Sequence, residues 1–170
     1  MKTLDRHGRF LVRLTLNGIP EEGFAEPRML LADFLRHEIG ATGTHVGCEH
    51  GICGACTIRV DGKATRACLV LAVQVDGAAI ETVEGLSEPD GSFGPLQQAF
   101  HENFALQCGF CTPGFMMSLS EFLEINPDPT ANEIKVALSG NICRCTGYHE
   151  IINASLDAAK ALRRRASQTS

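Results

Sequence analysis

The 170-residue sequence predicts an α+β chain in two parts, a small sheet with one helix followed by a four-helix bundle. Three observations carry that prediction. Hairpin signals and short β-rich runs are confined to the first half, and apolar residues at helical spacing fill the second. Between them Ser87–Pro95 is the one long stretch dense in turn formers. The expected parts are residues 1–86, a linker at 87–95, and 96–170 with a mobile C-terminal tail.

The elements follow in chain order. Phe10–Leu16 alternates imperfectly and meets Asn17-Gly18, a strong signal for a two-residue hairpin turn. Leu30, Leu31, Phe34, Leu35 and Ile39 recur at helical spacing, and Gly40 is placed to end that helix. Residues 57–60 and those after Lys63 flank Asp61-Gly62, a second hairpin, and a short strand around residues 79–83 completes the half.

Beyond the linker, Pro95 suits the first position of a helix running to about Asn103. Pro113 opens a second helix through about Ile125, with Phe115, Leu119, Phe122 and Leu123 on its apolar face. Asn126-Pro-Asp-Pro129 stops it, and Thr130 with Glu133 forms a capping box for a third helix ending at Ser139-Gly140. A fourth spans about His149 to Leu162. The basic run Arg163–Arg165 reads as a solvated tail.

Halves this small bury little core and need help from metals or disulfides. Eight cysteines supply it, in two sets: Cys48, Cys53, Cys56 and Cys68, then Cys108, Cys111, Cys143 and Cys145. The start lacks the apolar region of a secretory signal, because Arg9 and Arg13 split its short apolar stretch. No run approaches the roughly twenty apolar residues of a membrane span. A cytoplasmic chain with clustered cysteines points to metal or redox chemistry rather than disulfides. A net charge of −5, with one Tyr and no Trp, argues against nucleic acid.

Cys48-x4-Cys53-x2-Cys56 with a lone Cys68 is the plant-type [2Fe–2S] spacing. One loop presents three thiolates and a neighbouring segment the fourth. Gly47, Gly51 and Gly54 interleave them, so loop amides can turn inward toward sulfur. Zinc normally takes separate C-x2-C units, not two spacings sharing a ligand. His45 and His50 read as solvent-facing loop residues, since four cysteines already complete a cluster. In the second set, Cys108-x2-Cys111 precedes the Pro113 helix and Cys143-x-Cys145 follows the third. On spacing alone a zinc site stays open there.

The local sequences go further than the spacings. Gln107-Cys-Gly-Phe-Cys-Thr-Pro-Gly114 and Gly140-Asn-Ile-Cys-Arg-Cys-Thr-Gly-Tyr148 resemble the paired signatures of the xanthine dehydrogenase family of molybdenum hydroxylases. Gly47-Cys-Glu-His-Gly-Ile-Cys-Gly-Ala-Cys56 resembles that family's ferredoxin loop, and the resemblance runs co-linearly from about Leu14 to Asp157.

The resemblance implies a β-grasp ferredoxin domain holding a distal cluster on Cys48, Cys53, Cys56 and Cys68. It further implies a four-helix domain holding a proximal cluster on Cys108, Cys111, Cys143 and Cys145, with Gln107 and Cys145 against a molybdopterin cofactor. That cofactor is expected in a large subunit and FAD in a medium subunit, with electrons passing from one to the other through the two clusters. The chain carries no G-x-G-x-x-G fingerprint and ends soon after Leu162, where fused relatives continue into a flavin domain. A separate subunit of a dimer of heterotrimers is therefore expected.

Overall fold

The computed structural model describes residues 5 and 7–168. Strands β1 (Phe10–Leu16) and β2 (Ile19–Ala25) form an antiparallel hairpin through Asn17 and Gly18, both at positive φ. Val12, Leu14 and Leu16 point into the core from β1, and Arg13 points out. Strands β3 (Thr57–Val60) and β4 (Lys63–Arg66) form the second hairpin through Asp61 and Gly62. Strand β5 (Ala79–Glu81) lies between them, parallel to β1 and antiparallel to β3, giving the order β2-β1-β5-β3-β4.

One face of this mixed sheet is covered by helix α1 (Leu31–Asp33), which runs into a wider π-helical turn (Phe34–Ile39) ended by Gly40 in the left-handed region. Helical spacing alone could not distinguish the two windings. Phe34 and Leu35 are buried against Val12, Leu14, Ile58 and Ile80 in the first core.

The second half contains α2 (Pro95–Glu102), α3 (Thr112–Ile125), α4 (Ala131–Ala137) and α5 (His149–Gln168). Thr130 and Glu133 cap α4 reciprocally. Phe100, Phe115, Leu119, Ile134 and Ile151 fill the second core. Helix α5 runs past its expected end at about Leu162 to Gln168, with Arg163 paired to Asp128 at 2.7 Å and Arg165 to Glu88. A purely apolar reading of helix length overlooks such charged anchors.

Helix α3 also lies across the other face of the sheet at β3 and β4. That explains why β3 does not alternate: Thr57, Ile58 and Arg59 are all buried. Arg59, only 8% exposed, makes a two-pronged contact with Glu124 of α3 at 2.6 and 2.7 Å and reaches Glu81 of β5 at 3.3 Å. The hydrogen bonds to Glu124 raise its pKa above the ordinary arginine value despite burial. At the start of α3 the halves meet backbone to backbone. A Cβ at Gly114 would lie 2.1 Å from the Gly54 carbonyl oxygen.

Two expectations follow for the full chain. Arg59→Met should destabilise it by about 1–3 kcal/mol in urea unfolding, the usual worth of hydrogen bonds to a charged group; an unchanged midpoint would mean the bridge contributes nothing. Gly114→Ala should cost about 1–3 kcal/mol as overpacking, and a silent substitution would show that the halves can separate freely at this point.

Candidate metal centres

The first cysteine loop runs from the end of the π-helical turn to β3 without regular structure. Gly51 and Gly54 stand at φ +73° and +77°, conformations that L side chains rarely adopt, and Gly51 also faces Leu69, which would be 2.3 Å from a Cβ. These turns aim amides at sulfur. The His50 and Cys53 N–H groups donate to Cys48 Sγ, both at 3.4 Å, and the Gly51 N–H donates to Cys68 Sγ at 3.3 Å. Gly47 has a different role, because a Cβ there would crowd Cys53 Sγ at 3.2 Å. Cys56 stands just before β3 and Cys68 in the helical turn Ala67–Leu69 after β4, so the fourth cysteine is delivered by the β3–β4 hairpin.

The second set comes from two loops. Cys108 and Cys111 precede α3, with Gly109 at φ +78°, and Cys143 and Cys145 lie between α4 and α5. The Thr146 hydroxyl and amide donate to Cys143 Sγ at 3.2 and 3.4 Å. The Tyr148 hydroxyl accepts the Cys143 N–H at 2.9 Å and donates to the Asn141 carbonyl at 3.3 Å, while its ring meets Phe115 edge-on. Cys108 and Cys145 are exposed, as is Gln107 beside them.

The eight thiols are free. Cys108 and Cys145 Sγ lie 3.6 Å apart, and Cys48 and Cys53, Cys56 and Cys68, and Cys111 and Cys143 are near enough for one thiol to shift the titration of the other. Among the described residues, no three of His, Cys, Asp or Glu converge as ligands of a single ion would. Two pairs at each site instead suit a diiron cluster, where each iron takes two thiolates and two bridging sulfides. The residues present fit the group.

The electrostatics of the sulfurs differ within each site. The amides of Cys53 and His50 bring the Cys48 thiol down to about 6. Burial pushes Cys56 up to about 11 and Cys111 up to about 12. Burial also raises Cys143, but hydrogen bonds, those from Thr146 foremost, outweigh it and leave that thiol below its ordinary value. The contact with Cys108 Sγ raises Cys145. At each site, then, one sulfur is prepared for negative charge by local donors, and a buried one needs a cation to lose its proton.

The two loops touch. The Ile142 N–H donates to the Cys53 carbonyl at 2.9 Å, so one hydrogen bond and one peptide unit link Cys53 to Cys143. Buried Asn141 donates to the Gly54 carbonyl at 3.2 Å and accepts from Ser118 of α3 at 2.9 Å. Arg66 donates to Thr57 and to the Gly140 carbonyl. Sequence reasoning gave Asn141, Thr146 and Tyr148 no part, although all three lie inside the second signature. A buried amide two residues before a cysteine was the signal available.

His50 is exposed, as expected. His45 departs from its expected solvent-facing position. It stacks on Phe110 with ring centroids 4.9 Å apart, and its Nδ1 lies 2.8 Å from the Phe110 carbonyl oxygen, so that nitrogen carries the proton. The loop around Phe110 brings an aromatic face that the local sequence of the first loop could not announce. Among the described residues, no helix is long and apolar enough to cross a membrane.

Comparison with known proteins agrees with this geometry. Residues 14–84 match the model of a 2Fe-2S iron-sulfur cluster binding domain, and residues 82–156 match that of a [2Fe-2S] binding domain. The small subunit of nicotine 6-hydroxylase from Paenarthrobacter nicotinovorans is 53% identical over 93% of this chain and 94% of its own. Quinoline 2-oxidoreductase from Pseudomonas putida 86 has a chain that superposes with a TM-score of 0.89 at 49% identity, over 92% of this chain and 97% of that one. The aldehyde oxidoreductase of Desulfovibrio gigas matches with a TM-score of 0.86 at 41% identity, over 92% of this chain but 17% of its own longer one. A ferredoxin-like sheet domain, a helical [2Fe–2S] domain and two relatives matched over nearly their whole length lead to one conclusion: the chain belongs to the small iron–sulfur, electron-transfer subunits of the xanthine dehydrogenase family of molybdenum hydroxylases.

Proposed function

We propose that this chain carries electrons from a molybdopterin site in a large subunit to FAD in a medium subunit. The distal [2Fe–2S] cluster would be held by Cys48, Cys53, Cys56 and Cys68 on the glycine loop of Gly47, Gly51 and Gly54. The proximal cluster would be held by Cys108, Cys111, Cys143 and Cys145. The single observation that carries the reading is the gathering of eight free cysteines, four to a site, on two loop systems joined by the hydrogen bond from the Ile142 N–H to the Cys53 carbonyl. When bound, the clusters would supply one-electron carriers in series.

The chain's own groups have definable tasks. The amides of His50, Gly51 and Cys53, and the amide and hydroxyl of Thr146, donate to sulfur and so favour negative charge there. The hydrogen bond from Ile142 to Cys53 gives a short, largely through-bond connection between the sites. Gln107 and Cys145 belong to the exposed edge of the second site, which supports contact with a pterin held by the large subunit. In this reading residues 1–86 and 96–170 act as two cluster-bearing units joined by 87–95, within a cytoplasmic dimer of heterotrimers.

The purified chain should contain about four irons and four labile sulfides, with two distinct EPR signals on reduction. In the assembled complex mixed with substrate, Cys48→Ala should leave the proximal signal and halt flavin reduction, while Cys143→Ala should prevent reduction of the distal cluster. Stoichiometric zinc, or fast distal reduction in Cys143→Ala with cofactor bound, would sink the assignment.

Gln107→Ala should leave both clusters assembled and weaken cofactor seating by about 1 kcal/mol, the worth of a neutral hydrogen bond. Unchanged cofactor content and turnover would remove Gln107 from the pterin contact.

A further inference from the structure

Helix α2 ends in a Schellman-type turn. The Ala105 N–H donates to the Phe100 carbonyl at 2.9 Å, and the residue between Asn103 and Ala105 must take a left-handed conformation. Glycine is the usual occupant, because any Cβ is strained there. Here that residue is Phe104, at φ +51°, and it is 81% exposed. A bulky aromatic therefore sits at a strained position without burying its ring in this chain. Neither the turn nor the core accounts for it.

Its surroundings indicate what does. Phe104 begins the loop that continues through Leu106 and Gln107 to Cys108 and Phe110. Leu106 is 41% exposed and Phe110 48%, and Cys108 and Cys145 of the second site are exposed residues. Exposed apolar residues on one loop that carries an exposed cysteine have the composition of an interface core, where aromatic anchors dominate the binding energy. Electron transfer across that edge also needs a donor held close to it. In the aldehyde oxidoreductase of Desulfovibrio gigas this fold is a minor part of a longer chain, so a larger body is covalently attached to it.

We propose that Phe104 is an anchor residue that inserts into an apolar recess of the large, molybdopterin-bearing subunit, retaining backbone strain in the free chain for the sake of that contact. This rests on the reading given under Proposed function. The ring would be covered only in the complex, and together with Leu106 would exclude water from the edge of the second site. Phe104 is a positioning residue, because it touches neither cysteine sulfur nor cofactor in this account.

The test uses the full chain and the complex co-expressed with its large and medium subunits. In Phe104→Gly the turn keeps its conformation and loses both strain and ring. The free, cluster-loaded variant should melt about 2–4 °C higher than the parent. The complex containing it should lose the large subunit about tenfold more readily on dilution, with iron content unchanged. Phe104→Asn, also tolerant of the left-handed region, should reproduce the weakened association.

Lower stability of both free variants would mean the ring packs within the chain, and would overturn the proposal. So would a complex of undiminished tightness, or one that loses only the medium subunit. In those cases the parent complex still forms and the electron-transfer reading stands. If the parent chain, loaded with clusters, never binds the large subunit, both fall together.

Discussion

The carbonyl oxygen of Gly54 is the point on which the arrangement turns. It accepts from the Thr57 amide and hydroxyl, which close the end of the first cysteine loop, and from the buried Asn141 amide of the second. Gly114 approaches it so closely that no side chain fits between, and so the start of α3 is pressed against the first loop. A buried carbonyl without donors is costly, so this contact fixes register as well as proximity. Asn141 extends the constraint, since its side-chain oxygen accepts from Ser118, its N–H donates to the Leu138 carbonyl, and its own carbonyl accepts from the Tyr148 hydroxyl. The two cysteine sites therefore meet through hydrogen-bonded backbone, not through a flexible connection.

The same junction is braced farther out by arginines. Arg66 ties β4 to the Gly140 carbonyl, and Arg59 ties β3 to α3. Arg59 lies beneath α3 while Glu124 and Glu81 keep contact with water, so the charge is paired without full desolvation of both partners. At the far side Arg163 and Arg165 hold α5 against Asp128 and Glu88. Such exposed pairs individually add little to stability, but they determine where the helix lies.

The sulfur environments make a different division. Amide and hydroxyl donors surround Cys48 and Cys143, while burial dominates Cys56 and Cys111. Donors lower the energy of an electron-rich cluster and burial raises it, so the balance at each site is a lever on its reduction potential. The first site obtains its donors from turned glycines. The second relies on Thr146, with Tyr148 bracing the Cys143 amide, and its exposed edge leaves the rest to what covers it.

By itself the sequence determined the local features. Asn17-Gly18, Asp61-Gly62, Gly40, Pro95 and the Thr130–Glu133 box act through φ preferences and neighbouring hydrogen bonds, so their effects were legible before any contact was known. Cysteine spacing did the same for the first site, because its three-sulfur loop is a local geometry. Only the tertiary structure decided what depends on residues far apart in sequence. The insertion of β5 beside β1, the burial of Arg59 under α3, the stacking of His45 on Phe110 and the meeting of the two loops at Gly54 are of this kind. Their reason is packing: each partner is chosen by which faces must be covered and which carbonyls must find donors, and no spacing along one segment records that choice.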